Sequence, residues 1–232
     1  MPFFMMFDPL YLLLVALPSL LLLGISTIAV KGSFSKYSKI ANSRGITGAQ
    51  AAEQILRNYG ISNVRIERVG GKLTDHFDPR TMTIRLSDKV FNSTSIAAVG
   101  VAAHEAGHAV QHAEKYAPMK IRAAIVPVCN FGSSAGMILF FIGMFLQGFE
   151  FLMPVGILLF STVVIFQLVT LPVEFNASRR AMQSINSMQL LEHNEAKGAR
   201  KVLTAAAMTY VAAMLQSILT LLWLVLRSRG RR

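Results

Sequence analysis

The chain has 232 residues and a formal net charge of +11, and 53 % of its residues are hydrophobic. Its mean hydropathy of +0.48 is too high for an ordinary soluble domain of this length and indicates an integral membrane protein. We expect no nucleic-acid partner, because the sequence offers neither a basic face with stacking aromatic residues nor a known binding module. Anionic lipids are the expected partners of the basic residues that flank the apolar segments.

Four uncharged apolar segments cover residues 9–30, 123–146, 151–171 and 205–226. Each is close to the ~20 residues that a helix needs to cross the hydrocarbon core. We therefore predict a multi-pass, mainly α-helical membrane protein. Its domains are a first transmembrane helix (1–30), a polar lobe (31–122), a transmembrane hairpin (123–171), a polar helix (172–204), a fourth apolar helix (205–226) and a basic tail (227–232). A cleaved signal peptide is the alternative for the first segment, but residues 1–7 contain no Lys or Arg and the apolar run is too long.

The second apolar segment is the least regular of the four. Its first half is polar and easily kinked, because it contains Pro127, Cys129, Asn130, Ser133 and Ser134. That half is a candidate for the membrane interface, with the span itself then starting near Gly132. Residues 147–150 are expected to form a tight turn into the third segment. The single cysteine excludes an internal disulfide.

The two polar regions, 31–122 and 172–204, are separated by two predicted spans and should therefore face the same side of the membrane. They hold 14 and 5 of the 23 basic residues, whereas the 147–150 turn holds none. The positive-inside rule then places the polar lobe in the cytoplasm. The four arginines after residue 226 disagree with four full spans, so the last segment is either re-entrant or interfacial, or its tail is translocated.

Local signals predict the elements of the polar lobe. Thr47 and Gln50 resemble a capping box, which predicts a helix over residues 48–59 that ends at Gly60. Residues 64–69 and 82–86 alternate as strands do, with a Gly-Gly turn signal between them, and we expect a small β-hairpin or sheet. Ser and Thr at 93–95 offer N-caps for a helix over residues 94–114.

That last helix carries the sequence His104-Glu105-Ala106-Gly107-His108, which is the HExxH pattern of zinc hydrolases. Residues four apart lie on one face of a helix, so both imidazoles can bind one Zn²⁺ at about 2.0–2.1 Å. Glu105 can then take a proton from the attacking water. We predict one zinc ion per chain, with His104 and His108 as ligands.

A catalytic zinc site needs a third protein ligand. His112 continues the stripe but lies about 12 Å along the helix from His104, so it suits a supporting role. The metzincin pattern would need a histidine at position 114, and the absence of any Asp after Asp88 fits a site-2 type of intramembrane protease poorly. Glu174 is the favoured ligand, because it follows the third span and opens a predicted helix whose small residues allow a close approach. The alternatives left open are Glu192, His193 and Glu195.

Four stretches of the sequence point to a known family, namely HEAGHAVQH, DHFDPRTMTIRLS, LPVEFNASRRA and GARKVLTAAAMTYVAA. Together they resemble the YugP-like neutral zinc metallopeptidases, which are multi-pass bacterial membrane proteins. The resemblance runs through nearly the whole chain. It implies a zincin-like lobe at the membrane surface, in which His104, His108 and Glu174 bind zinc and Glu105 is the general base. The sequence is more distantly similar to the HtpX and CAAX-type membrane peptidases, whose ligand glutamate is followed four residues later by an Asp.

This chain has Ser178 at the position of that Asp, so the supporting role falls to Ser178, Asn176 or His112. The candidates for stabilising the oxyanion are His76, Arg179 and Tyr210. The strand before the zinc helix is a candidate edge strand for binding an extended peptide. Its residues are Thr81, Met82, Thr83, Ile84 and Arg85. The alternative is an ordinary hairpin packed on the helix.

We thus predict a membrane-bound zinc metallopeptidase that acts on membrane or membrane-proximal proteins and peptides. Two alternatives stay open. One is a zinc-binding membrane scaffold without turnover, which has no need of Glu105 and could involve a regulatory membrane partner. The other is a metallohydrolase of lipids or small molecules.

Overall fold

The computed structural model of this protein describes residues 8–71 and 73–230. The chain divides into two compact units. We call the first the helical unit (Met1–Ser26, Lys120–Pro172 and Thr209–Arg232) and the second the lobe (Thr27–Met119 and Val173–Met208). Arg231, Arg232 and residues 1–7, which belong to the predicted tail and first span, lie outside the described residues.

Helices dominate both units, and one three-stranded sheet lies in the lobe. In chain order the elements are α1 (Pro9–Tyr11), a π-helical stretch (Leu12–Ala16), α2 (Leu17–Tyr37), α3 (Gly48–Asn58), β1 (Arg65–Val69), β2 (His76–Asp78), β3 (Thr83–Ser87), α4 (Asp88–Phe91), α5 (Ile96–Ala113), α6 (Ala117–Phe145), α7 (Leu152–Ser187) and α8 (His193–Arg229).

Four helical stretches are long and apolar enough to cross a membrane, namely Pro9–Tyr37, Ala117–Phe145, Leu152–Ser187 and His193–Arg229. Each covers one of the four predicted apolar segments to within one residue, so the prediction of four candidate spans is confirmed. The turn predicted at 147–150 is also confirmed, with Gly148 in the left-handed region at φ 81°. α6 continues through Pro127 without a break.

One predicted boundary is wrong. Residues 172–204 were expected to form a separate helix that Glu174 opens, but α7 runs without interruption from Leu152 to Ser187 and contains Pro172. The next helix then begins at His193. Tertiary packing explains the continuity, because Val173, Ala177 and Ala181 are buried on one face of α7 beyond the proline.

Small residues bring α6 and α7 together in the helical unit. Gly132 and Gly136 have the spacing of a GxxxG motif, which lets membrane helices approach closely. A Cβ on Gly136 would meet the carbonyl oxygen of Gly156 at 2.9 Å, and a Cβ on Gly156 would meet that of Gly136 at 2.5 Å. The backbones are therefore in direct contact.

An aromatic cluster forms the buried centre of the same unit. Tyr11 meets Trp223 edge to face, with ring centroids 5.2 Å apart, and Phe140 lies 5.9 Å from Trp223. An ion pair of 3.4 Å joins Asp8, which caps α1, to Arg227. The packing of this unit is thus apolar and aromatic, with its charges at helix ends.

The lobe is built around α5. Its core combines small residues of α5 with larger apolar side chains from α3, β3, α7 and the loop before α8, including Ile55, Ile84, Leu86, Ile185 and Leu190. The predicted caps are confirmed, because Thr47 and Gln50 form a complete capping box on α3 and Ser95 Oγ accepts from the amide of Ala98 at the start of α5. Both helices therefore begin where local polar groups satisfy their first amides.

The sheet has the order β1-β3-β2. β1 pairs with β3 in parallel, and β2 pairs with β3 antiparallel. The small sheet expected in the lobe is confirmed. Residues 64–69 and 82–86 do not form a hairpin, because parallel strands need a crossover and β2 lies within it. The strand at 81–85 is also not an edge strand. Thr83, Ile84 and Arg85 pair on both sides, and Thr81 and Met82 lie in a turn.

Candidate metal centre and active site

α5 presents the two histidines of the motif on one face. His104 and His108 are one helical turn apart, and their ring centroids are 4.7 Å apart at an interplanar angle of 85°. Their Nε2 atoms are separated by 3.1 Å. The two rings are therefore aimed at a common point.

α7 supplies the third group, because it lies unusually close to α5. A Cβ on Gly107 would meet the carbonyl oxygen of Ala177 at 2.7 Å. This approach carries Glu174, which is only 2 % exposed, to the paired imidazoles. The small residue inside the HExxH motif thus has a physical reason, since a larger one would push α7 away.

The three donor atoms form a nearly equilateral triangle. Oε2 of Glu174 lies 3.3 Å from Nε2 of His104 and 3.5 Å from Nε2 of His108. Ligands bound tetrahedrally at about 2.0–2.1 Å are roughly 3.3–3.4 Å apart, so the donor set fits zinc. Within residues 8–71 and 73–230, this is the single group of three or more such side chains placed to hold a metal ion.

Gln111 fixes the tautomer of His108. The amide nitrogen of Gln111 donates to the carbonyl of Val173 at 2.8 Å and to Oδ1 of Asn176 at 3.0 Å, which turns its oxygen Oε1 toward the imidazole. Nδ1 of His108 lies 3.0 Å from that oxygen and donates its proton there. The lone pair of Nε2 is then directed at the other two ligands, as metal binding requires.

The network continues from Asn176 to the end of α5. Nε of Arg180 donates to Oδ1 of Asn176 at 2.7 Å, and a second nitrogen of Arg180 lies 2.7 Å from Glu114. The structure therefore ties α5 to α7 on the side of His108 by a chain of paired polar groups.

Ser178 supports the other histidine. Its Oγ lies 3.2 Å from Nδ1 of His104, where the hydroxyl can accept the ring proton. Of the three residues considered for this role, Ser178 contacts a ligand directly, and Asn176 acts through Gln111. His112 is exposed and packs its ring 5.9 Å from that of Phe77.

Glu105 is 8 % exposed and sits beside the ligands. Burial lowers the pKa of His108, but the hydrogen bond that the protonated ring can donate to Glu174 and the negative charges of Glu105 and Glu174 outweigh it, so that the pKa is raised above its usual value. The site is thus strongly attractive to a cation.

Two other predicted residues, His76 and Arg179, lie on the surface of the lobe. His76 is exposed, and its Nδ1 donates to the carbonyl of Thr74 at 2.8 Å. Arg179 is exposed on α7. Their roles in oxyanion stabilisation, and that of Tyr210, stay predictions. Glu195 accepts from the amides of Ser43 and Glu192, so it caps α8 and is not a ligand. His193 and Glu192 lie outside the metal group found among the described residues.

Gln111 is the residue that the sequence interpretation missed. It lies three positions after His108, on the stripe that also carries His112, and this spacing was the signal that could have pointed to it. Its role depends on Val173 and Asn176 of α7, and no local pattern predicts that pairing.

The chain matches known proteins over most of its length. Residues 11–229 match the model of a family described as "Putative neutral zinc metallopeptidase". The chain belongs to this family. It is also 50 % identical over 197 residues to the "Putative membrane protease YugP" of Bacillus subtilis (strain 168), covering 85 % of this chain and 87 % of that protein. No solved structure matches.

Membership of this family and similarity to a putative membrane protease agree with the four helices that are long and apolar enough to cross a membrane. Every ligand of the candidate metal group lies on two helices of the lobe, α5 and α7. The resemblance that rested on four stretches of sequence is therefore confirmed at the level of the family.

Proposed function

We propose that this protein is a membrane-bound zinc metalloendopeptidase, with His104, His108 and Glu174 as the ligands of one zinc ion and Glu105 as the general base. The observation that carries the proposal is the triangle of Nε2, Nε2 and Oε2 atoms with sides of 3.1 to 3.5 Å. Three protein ligands leave a fourth position open, as catalytic zinc sites do and structural ones do not.

Zinc, when bound there, supplies a Lewis acid that polarises a carbonyl and makes water acidic near neutral pH. The protein's own residues do the rest. Gln111 and Ser178 hold the two imidazoles by their Nδ1 atoms. Glu105 follows His104 on α5, where its carboxylate can accept a proton from the attacking water and deliver it to the leaving amine. An unpaired carboxylate next to the ligands is needed for turnover and not for a scaffold.

The zincin-like character of the lobe rests on the motif helix beside a small sheet. The substrates follow from chain position, because Glu174 comes three residues after the last residue of an apolar segment, at 171. We propose that the site acts on juxtamembrane segments of membrane proteins. The basic residues of 31–122 favour a cytoplasmic lobe in contact with anionic lipids.

The decisive experiment compares Glu105→Gln with Glu53→Gln. Both changes remove one negative charge with the same side-chain shape, but Glu53 is an exposed partner of Arg57 on α3. We expect Glu105→Gln to retain one zinc per chain and to lose about 10²–10⁴-fold in cleavage of an unfolded protein such as casein. Glu53→Gln should match the wild type in both measurements.

Zinc content is measured by metal analysis of the purified protein, and cleavage by fluorescence of a labelled casein and of a membrane protein in the same nanodisc. Full activity of Glu105→Gln would contradict the mechanism. Absence of zinc-dependent cleavage in the wild type, with one zinc bound, would contradict the assignment as a peptidase.

A further inference from the structure

A cavity of about 430 Å³ lies beside the candidate active site, between α7 and α8 of the lobe. We call it the Ser178 cavity. Its lining is formed by Phe175, Ser178, Arg179, Met182, Gln183, Asn186, Arg200, Leu203, Thr204 and Ala207. A second cavity of about 680 Å³ shares Met182, Asn186 and Arg200 with it, so the depression continues along the two helices.

Ser178 connects this cavity to the metal ligands. Its hydroxyl lies 3.2 Å from Nδ1 of His104, and the residue is one helical turn after Glu174 on α7. Four residues of helix rise about 6 Å, whereas one extended peptide residue spans about 3.3–3.4 Å. A substrate whose scissile bond lies at the ligands can therefore place a side chain in the cavity one or two residues away.

The charge of the cavity is entirely positive. Arg179 and Arg200 are the charged lining residues of the Ser178 cavity, and no Asp or Glu lines it, whereas the adjoining second cavity has Glu192 and Lys197 beside Arg200. In the part of the chain that the structure describes, no ion pair or hydrogen bond engages either guanidinium, whereas most of the other arginines of the lobe are paired with acids. The pairs are Arg57–Glu53, Arg65–Glu67, Arg68–Asp88, Arg85–Asp78 and Arg180–Glu114.

The remaining lining suits the stem of a side chain. Met182 and Leu203 are buried and provide an apolar wall, and Phe175 adds an exposed ring at 44 %. A glutamate side chain has two methylene groups that can contact such a wall while its carboxylate meets a guanidinium. Arginine favours this pairing, since its planar fork matches a carboxylate in bidentate geometry.

We propose that the Ser178 cavity is a substrate subsite that binds an acidic side chain of the peptide, one or two residues from the scissile bond, through Arg179 and Arg200. This inference rests on the proposed function and adds its specificity. Both arginines are exposed, so the attraction is screened by salt and strongest at low ionic strength.

Binding is tested first, so that the result does not depend on turnover. The zinc-loaded Glu105→Gln protein in zwitterionic nanodiscs is titrated with two fluorescent peptides that differ by one Glu-to-Gln replacement, the position being varied along the peptide. We expect the acidic peptide to bind about tenfold more tightly at one or two adjacent positions. Introducing both Arg179→Glu and Arg200→Glu into the same protein should reverse the preference, so that a peptide with Lys at that position binds more tightly than the acidic peptide.

Lys201→Glu is the matched control, because it makes the same change of charge on α8 next to Arg200 but outside the cavity. It should keep the preference for the acidic peptide. Arg200→Gln serves as the milder variant, with an expected loss of about threefold to tenfold in that preference. The zinc content of each variant reports whether the lobe remains folded.

Equal binding of the two peptides to the zinc-loaded Glu105→Gln protein would overturn the proposal. A preference for the acidic peptide that remains after both Arg179→Glu and Arg200→Glu are introduced would overturn it as well. Anionic lipid is the other candidate occupant. Arg179→Glu and Arg200→Glu could abolish retention of phosphatidylglycerol from mixed nanodiscs and leave the preference for the acidic peptide unchanged. In that case the cavity is a lipid site and the proposal is wrong.

Cleavage of a peptide library by the wild type tests the acidic subsite separately from the peptidase activity. Cleavage without preference for acidic residues near the scissile bond contradicts the subsite and leaves the peptidase standing. Tight, arginine-dependent binding of acidic peptides without any zinc-dependent cleavage supports the subsite's chemistry and contradicts the peptidase.

Discussion

Two close helix–helix contacts of this protein both depend on a glycine at the point of contact, but they have different consequences. In the lobe, Gly107 of α5 lies against the backbone of Ala177 on α7, and in the helical unit Gly136 of α6 lies against that of Gly156. A glycine permits each contact, since a Cβ would meet a carbonyl oxygen at 2.7 and 2.9 Å respectively. Only the first contact is surrounded by groups that can do chemistry.

The difference lies in how the neighbouring polar groups are satisfied. Near α6, the hydroxyls of Ser161 and Thr162 bond to carbonyls of their own helix. Next to Gly107, by contrast, Gln111 bonds across to α7 and Glu174 faces two imidazoles. Burying a carboxylate is costly unless partners compensate. The lobe thus keeps a charged donor set because α5 and α7 supply partners to each other.

Removing the carboxylate of Glu174 should have the largest effect on zinc affinity. Glu174→Gln replaces an anionic ligand by a poor neutral one of the same shape, and we expect zinc affinity to fall by more than about 100-fold. The counterpart in the helical unit, Thr162→Val, should bind zinc as the wild type does. Titration with a competing chelator measures both. Wild-type affinity in Glu174→Gln would show that this residue is not a ligand.

A methyl group at each glycine contact tests whether close approach serves the site or only the packing. Gly107→Ala and Gly156→Ala each force neighbouring backbone to move, which costs about 1–3 kcal/mol and lowers the melting temperature. We expect Gly107→Ala to lose in addition at least about tenfold in zinc affinity, because α7 carries Glu174 and Ser178. Gly156→Ala should keep its zinc affinity.

Gly32→Ala is the control for these glycine changes, because a Cβ there meets nothing within 4 Å and the residue lies in α2. Alanine has the higher helix propensity by about 1 kcal/mol, so this variant should be as stable as the wild type or slightly more stable. Equal loss of zinc affinity in Gly107→Ala and Gly156→Ala would remove the distinction between the two contacts.

The bond that orients His108 is expected to matter less than a ligand. Gln111→Leu fills similar volume but cannot accept the proton of Nδ1, and it leaves the carbonyl of Val173 without its donor. Loss of such a supporting group typically costs about 10–100-fold in metal affinity or activity. Gln216→Leu, a similar change in the helical unit, should leave both unchanged. The two variants are compared by chelator titration and by casein cleavage.

The sequence predicted what depends on near neighbours along the chain. The spacing of His104 and His108 and the caps at Thr47 and Ser95 are local, and the structure agrees with them. Glu174 is part of the group that could hold a metal ion, but one reason given for choosing it was wrong. This residue does not open a helix but lies inside α7, beyond Pro172.

What the sequence could not predict depends on distant partners. The Gly-Gly signal at 70–71 indicates a turn, but whether the flanking strands pair directly is decided by β2, a strand of three residues too short to show periodicity. The partners of Gln111 lie 62 and 65 positions away on α7. Such pairings follow from the packing of whole helices and not from residue spacing.

The smallest expected effects come from one arginine in each unit. Arg180 is 17 % exposed and joins Asn176 to Glu114, whereas Arg227 is 52 % exposed and pairs with Asp8. Arg180→Ala should lower zinc affinity about twofold to fivefold, because Asn176 and then Gln111 lose support. Arg227→Ala should cost only about 0–1 kcal/mol of stability, less at high salt, and leave zinc affinity unchanged. Equal zinc affinities in the two variants would limit the functional part of the network to Gln111 and Asn176, since Arg180 would then stabilise the lobe without orienting a ligand.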